Sequence, residues 1–201
     1  MNRNLSAANK KIIIVAGYLA AGKSTFARLL SHETGVPYFI KDTFKSALCA
    51  GVEIDSRAES SRFSAVTFDA MMYIAERLME TGYPLILEVN FVPAGIKKTD
   101  EACVIKNLIG KYYYKPLTFK FTGDTNVLLT RFNEREKSPE RGQANMLHGG
   151  ISPEDFDKFC RNLNDFDVGG DQIIIDSTDF ATVDYESHIN TTRVFLNTVY
   201  E

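Results

Sequence analysis

The sequence predicts a three-layer α/β fold, with helices on both faces of a mainly parallel sheet. Two patterns carry this. Short β-branched runs alternate with helix-period segments along nearly the whole chain. The first run, IIIVAG (12–17), is continuously apolar rather than alternating, as in a strand buried on both faces. With 201 residues, 44% apolar and 24% charged, the chain suits one globular domain. Residues 1–11 form a polar N-terminal segment.

The elements follow in order. From Gly22 to about Glu33 the period becomes helical through Phe26, Leu29 and Leu30, and TGVP (34–37) stops it. YFI (38–40) is a second strand. DTFKSALCAG (42–51) reads as a short helix capped by Asp42 or Thr43. A serine-rich polar stretch, 53–64, precedes a long helix over about 63–81. Its mostly apolar face is expected to run through Phe63, Val66, Ala70, Tyr73, Ile74, Arg77 and Leu78. PLILEVN (84–90) is the third strand, and a helix near 94–109 follows. YKPLTFKF (114–121) is the fourth strand, and its alternation suggests an exposed position. Residues 125–137 are helical and 138–145 a polar break. SPEDFDKFCRNLND (152–165) opens with a serine cap and a first-turn proline. DQIIID (171–176) is the fifth strand, and 181–199 the last helix.

The net charge of −3 gives no basic excess for long nucleic acid. No run reaches the roughly 18–20 apolar residues of a membrane span. Residues 1–11 lack the apolar core of a signal peptide, which points to a cytoplasmic protein. Cys49, Cys103 and Cys160 lie far apart, without the spacing of zinc ligands or of a disulfide framework.

GYLAAGKST (17–25) follows the first strand directly and matches G-x-x-x-x-G-K-[ST]. A strand before and a helix after are the setting this phosphate-binding loop requires. The amides of Gly17, Tyr18, Leu19, Ala20, Ala21 and Gly22 would wrap a nucleotide's phosphates, with Thr25 beside them. The helix start adds its positive end. Lys23 would reach the β- and γ-phosphates, and Ser24 would ligate Mg²⁺. The expected ligands are therefore ATP and Mg²⁺.

Phosphoryl transfer also needs carboxylates. Asp42 follows the second strand at the sheet edge where α/β folds bind ligands. It either orients an acceptor hydroxyl or only caps its helix. Glu88 interrupts the apolar LILEVN, where a buried carboxylate needs a partner. That partner is Mg²⁺, or else the group meets solvent or a lysine. Asn90 and Phe91 follow at the same edge. Arg131 and Arg135 share a helix face, and Arg141 follows. They would close over the transferring phosphoryl group, or they are solvated beside Glu134 and Glu136. Arg57 and Arg62 either meet an anionic acceptor or are exposed. Lys45, one turn after Asp42, either assists at the acceptor or is solvated.

Taken together, GYLAAGKST, KDTFK (41–45), LILEVNF (85–91) and TRFNEREKSPERG (130–142) resemble the P-loop small-molecule kinases. The branch they are most similar to includes the zeta-toxin-like and chloramphenicol-phosphotransferase-like proteins. The resemblance covers residues 12 to about 176. It implies a five-stranded parallel sheet of order 2-3-1-4-5, with a lid over about 125–150. It implies a catalytic Lys23, Asp42 as the carboxylate that activates the acceptor, and Arg135 as the lid arginine. Glu88 stands where the family usually has aspartate at the end of the third strand. The expected activity is transfer of the γ-phosphoryl group of ATP to an unidentified small molecule. The alternatives are a nucleotide-dependent switch without an acceptor, and a toxin kinase acting on a nucleotide sugar. Against a guanine-specific switch, KKTD (97–100) lacks the Asn or Thr of the guanine-reading motif.

Overall fold

The computed structural model describes residues 10–89, 100–138, 143–145 and 150–199, apart from the Arg57 and Gln143 side chains. Five strands form one sheet: β1 (Lys11–Gly17), β2 (Tyr38–Ile40), β3 (Leu85–Glu88), β4 (Lys115–Thr122) and β5 (Asp171–Asp176). Their order is β2-β3-β1-β4-β5, and every neighbouring pair is parallel, as the resemblance implies. The expected three-layer architecture is present. Register aligns Val15 with Glu88 and Ile40 with Glu88, so β1, β2 and β3 end at one level. That alignment brings the phosphate loop and both candidate carboxylates to one edge.

All seven residues of β1 are buried, because both faces of the sheet are covered. On one face Ile13 and Val15 pack with α1 (Lys23–Thr34), α5 (Thr125–Glu136), α6 (Pro153–Asn162) and α7 (Tyr185–Asn197). On the other, Ile12 and Ile14 pack with α3 (Arg57–Glu80) and α4 (Glu101–Tyr112). Burying each such side chain contributes about 1.5–3 kcal/mol. α2 (Lys41–Leu48) sits against the start of α3 beyond β2. Among the described residues no helix is long and apolar enough to cross a membrane.

At the far end of β1, Lys11 is 1% exposed and donates to Phe195 O (3.0 Å) and Thr198 O (2.6 Å). It thereby gives a donor to two carbonyls at the end of α7.

Several sequence expectations are corrected. α2 starts at Lys41, with Ile40 as a cap that makes no side-chain bond, so neither Asp42 nor Thr43 caps it. Asp42 lies in the first helical turn instead, where a carboxylate favours the helix dipole. α3 starts at Arg57, six residues before the expected start, because Ser56 caps it. The Ser56 hydroxyl accepts from Glu59 N (3.2 Å), the S-x-x-E pattern of a capping box. The buried face of α3 is Phe68, Met71, Met72, Ala75 and Met79, whereas Val66 and Tyr73 are exposed. Both stripes have helical period, and the chosen one is the more continuously apolar. β4 lies inside the sheet, not in an exposed position. Its polar alternates Thr118 and Lys120 are buried, and Lys120 Nζ donates to Asn164 O and Phe166 O beyond α6. α7 starts at Tyr185, after a 3-10 turn over Phe180–Thr182. α4 starts at Glu101, and the rest of the expected 94–109 helix lies outside the described residues.

Candidate active site

The loop between β1 and α1 is built on two glycines. Gly17 has φ +118°, and a Cβ there would lie 2.0 Å from Phe121 O. Only glycine allows the backbone to pass β4 this closely, with Tyr18 N donating to Phe121 O at 2.8 Å. Gly22 has φ +86° and begins α1; Phe26 N donates to its carbonyl at 3.1 Å. Phe26 anchors the helix from below, edge-on to Phe119 with ring centroids 5.0 Å apart.

The Lys23 side chain is 5% exposed and curls under the loop, where Nζ donates to Tyr18 O at 2.6 Å. Burial lowers its pKa; the negative charge of Glu88 partly opposes that. Ser24 Oγ donates to Glu88 Oε2 at 3.3 Å, and Glu88 Oε1 stands 4.0 Å from Lys23 Nζ. Glu88 is 2% exposed. Burial pushes its pKa up to about 7, with Lys23 pulling the other way and Asp42 adding to the rise. A buried carboxylate shifted this far, touching a serine hydroxyl, suits a divalent cation. Ser24 and Glu88 therefore fit Mg²⁺ in residue type and spacing.

These residues line a cavity of about 610 Å³. Leu19 to Thr25 form one wall, and Arg131 and Arg135 of α5 another. Asp42, Thr43 and Ser46 of α2 line the cavity as well. Leu19 to Thr25, Asp42, Glu88, Arg131 and Arg135 thus meet the same space, while Gly17 and Tyr18 shape the loop beneath it.

The two α5 arginines differ. Arg131 donates from Nη1 to Ser177 O and from Nη2 to Thr178 O, both at 2.6 Å, and lies 3.9 Å over the Phe180 ring. It is held flat against the segment after β5. Arg135 lies one turn on, close enough for its charge to act on both Lys23 and Glu88. Lys45 is buried, not solvated; its Nζ donates to Ser60 Oγ at 2.7 Å. Arg62 is exposed and does not line the cavity. Asn90, Phe91 and Arg141 lie outside the described residues.

Several lining residues, among them Phe180, Asn145, Ser46 and Arg28, escaped the sequence reading. Phe180 and Asn145 come from 3-10 turns without periodicity; Ser46 and Arg28 sit on helices whose other faces drew attention. Arg28 had one available signal, its position one turn after Ser24.

No protein-family model and no curated protein matches the sequence. Solved structures do match. A provisionally named kinase from Chloroflexus aurantiacus superposes with a TM-score of 0.80 at 23% identity, covering 92% of this chain and 97% of its own. Shikimate kinase from Bacteroides thetaiotaomicron gives 0.56 at 16%, covering 94% and 99%. A gluconokinase from Sinorhizobium meliloti gives 0.54 at 13%, covering 93% and 91%. The fold is that of the P-loop kinases. In that fold the cavity found here opens at the carboxyl ends of β1, β2 and β3, where α/β sheets take their ligands.

Proposed function

We propose that this chain is an ATP-dependent phosphotransferase that moves the γ-phosphoryl group to a hydroxyl of a small molecule. One observation carries the reading: Lys23, Ser24 and Glu88 meet in a cavity that Asp42 also lines, near enough for its charge to act on Lys23 and Glu88. A switch module needs the first group and not the second. The resemblance to zeta-toxin-like and chloramphenicol-phosphotransferase-like kinases points the same way, as do the kinase names of the superposable structures.

In this reading the loop amides and Lys23 hold the triphosphate, and the flat Arg131–Phe180 pair offers a stacking surface for the adenine. Ser24 and Glu88 would hold Mg²⁺, which when bound supplies charge to the β- and γ-phosphate oxygens. Asp42 accepts a hydrogen bond from the acceptor hydroxyl and takes its proton as the oxygen attacks. The new O–P bond forms as the bond from the γ-phosphorus to the β,γ-bridging oxygen breaks, and ADP leaves with that electron pair. Arg135 faces the charge that spreads over the transferring group.

The test is ADP release with Mg·ATP across nucleosides, sugars, nucleotide sugars and phenicol- or aminoglycoside-type alcohols, wild type beside Asp42→Asn. A stimulating compound should lose about 10²–10⁴-fold of its effect in the variant. Equal turnover in the two proteins with every compound would remove Asp42 from the reaction and favour the switch.

A further inference from the structure

The 3-10 turn Gln143–Asn145 docks on the helices that carry Asp42. Asn145 Nδ2 donates to Asp42 O and to Ser46 Oγ, each at 2.8 Å. The carbonyl of Ala144 accepts from Ser60 Oγ at 2.9 Å, and that oxygen accepts in turn from Lys45 Nζ at 2.7 Å. The Ala144 side chain is 7% exposed among Cys49, Ile54 and Phe63. Two consecutive residues therefore fasten the turn to both α2 and α3.

Because a backbone carbonyl can only accept, the bond to Asp42 O fixes which end of the Asn145 amide faces α2. Both amide protons are spent there. The group Asn145 has left, as a residue lining the cavity, is the acceptor Oδ1. Asp42 lines the same wall and is also an acceptor when ionised. The cations that line the cavity, Lys23, Arg28, Arg131 and Arg135, come from α1 and α5, whereas the described lining residues of α2 and of the 143–145 turn, Asp42, Thr43, Ser46 and Asn145, include none. The two lysines of α2 point elsewhere: Lys41 pairs with Glu101 at 2.9 Å, and Lys45 bonds Ser60.

Resting on the phosphotransferase reading, we infer that Asn145 completes the acceptor subsite and that the acceptor is an uncharged compound with at least two hydroxyl groups. One hydroxyl meets Asp42 and is phosphorylated; a second donates to Asn145 Oδ1. A carboxylate or phosphate on the acceptor would meet two hydrogen-bond acceptors and the Asp42 charge.

The experiment measures kcat/KM for ADP release with Mg·ATP against matched sets: sugars and polyols, their deoxy analogues lacking one hydroxyl, and their carboxylate or phosphate derivatives. Neutral polyols should stimulate, and a particular deoxy analogue should fall by roughly tenfold or more. In Asn145→Ala that preference should shrink to within about threefold, the hydroxyl's partner being gone. Ser60→Ala loosens the turn without touching the cavity. It should lower kcat/KM and leave the preference intact, which separates recognition from mere support. Stimulation confined to anionic acceptors, or a preference unchanged in Asn145→Ala, overturns the inference. So does the absence of any stimulation in a protein that binds Mg with a non-hydrolysable ATP analogue in calorimetry. If the nucleotide itself does not bind, the phosphotransferase reading fails first.

Discussion

Glu88 lies 4.0 Å from the Lys23 ammonium and still titrates near 7, because the cost of burying the carboxylate outweighs that attraction. Its folded pKa is above the ordinary 4.5, so between about pH 4.5 and 7 the folded state binds the proton more tightly than the unfolded one. Stability of the metal-free protein should therefore fall as pH rises through that window and level off above it. Urea denaturation at pH 5 and pH 8 should show this slope in wild type and a smaller one in Glu88→Gln; equal slopes would mean that Glu88 is ionised throughout. Affinity for Mg·ATP should move oppositely, rising as the carboxylate forms. At this scale the sequence was informative wherever chemistry dictates spacing. Gly17, Gly22, Lys23 and Ser24 stand at the spacing expected of a phosphate-binding loop, and Glu88 betrayed itself as a charge in an apolar strand. Asn145 and Phe180 were not legible, because single residues in irregular turns reach the cavity only through tertiary placement.

Elements announced themselves by period and caps, and the misreadings share a cause. Lys120 in β4 looked solvent-facing because a lone sequence does not show the carbonyls of Asn164 and Phe166 that receive its amine. On α3, two stripes of equal period competed, and contact with β1 and β3 decided between them. A buried polar link of the same kind joins α2 to α4, where Lys41 and Glu101 pair at 2.9 Å with both side chains nearly inaccessible. Lys41→Met alone leaves the Glu101 carboxylate without that charge and should cost about 3–5 kcal/mol in chemical denaturation. Adding Glu101→Leu should recover most of the loss. A double variant as unstable as the single one would mean that the pair contributes more than each charge costs to bury.

Across the whole molecule, the cavity is assembled from both halves of the chain: the loop after β1, α1, α2 and Glu88 of β3 from the first, α5 and the 143–145 and 180–182 turns from the second. Ligand binding should therefore stabilise the fold as a unit. With Mg and a non-hydrolysable ATP analogue at a hundred times its Kd, about 2.7 kcal/mol is added, or a rise in Tm of roughly 5–10 °C. Differential scanning fluorimetry should show that rise in wild type and little of it in Lys23→Met; an equal rise in both would place the nucleotide elsewhere. Strand order and layers were legible from the alternation of elements, while the docking of distant turns was not. The lysine that begins β1 adds a constraint in time. Its ammonium is received by the carbonyls of Phe195 and Thr198, which a ribosome makes nearly two hundred residues later. A nascent chain can pair its early strands, yet the first charge of the central strand meets these two carbonyls only once residues 195–198 have been made.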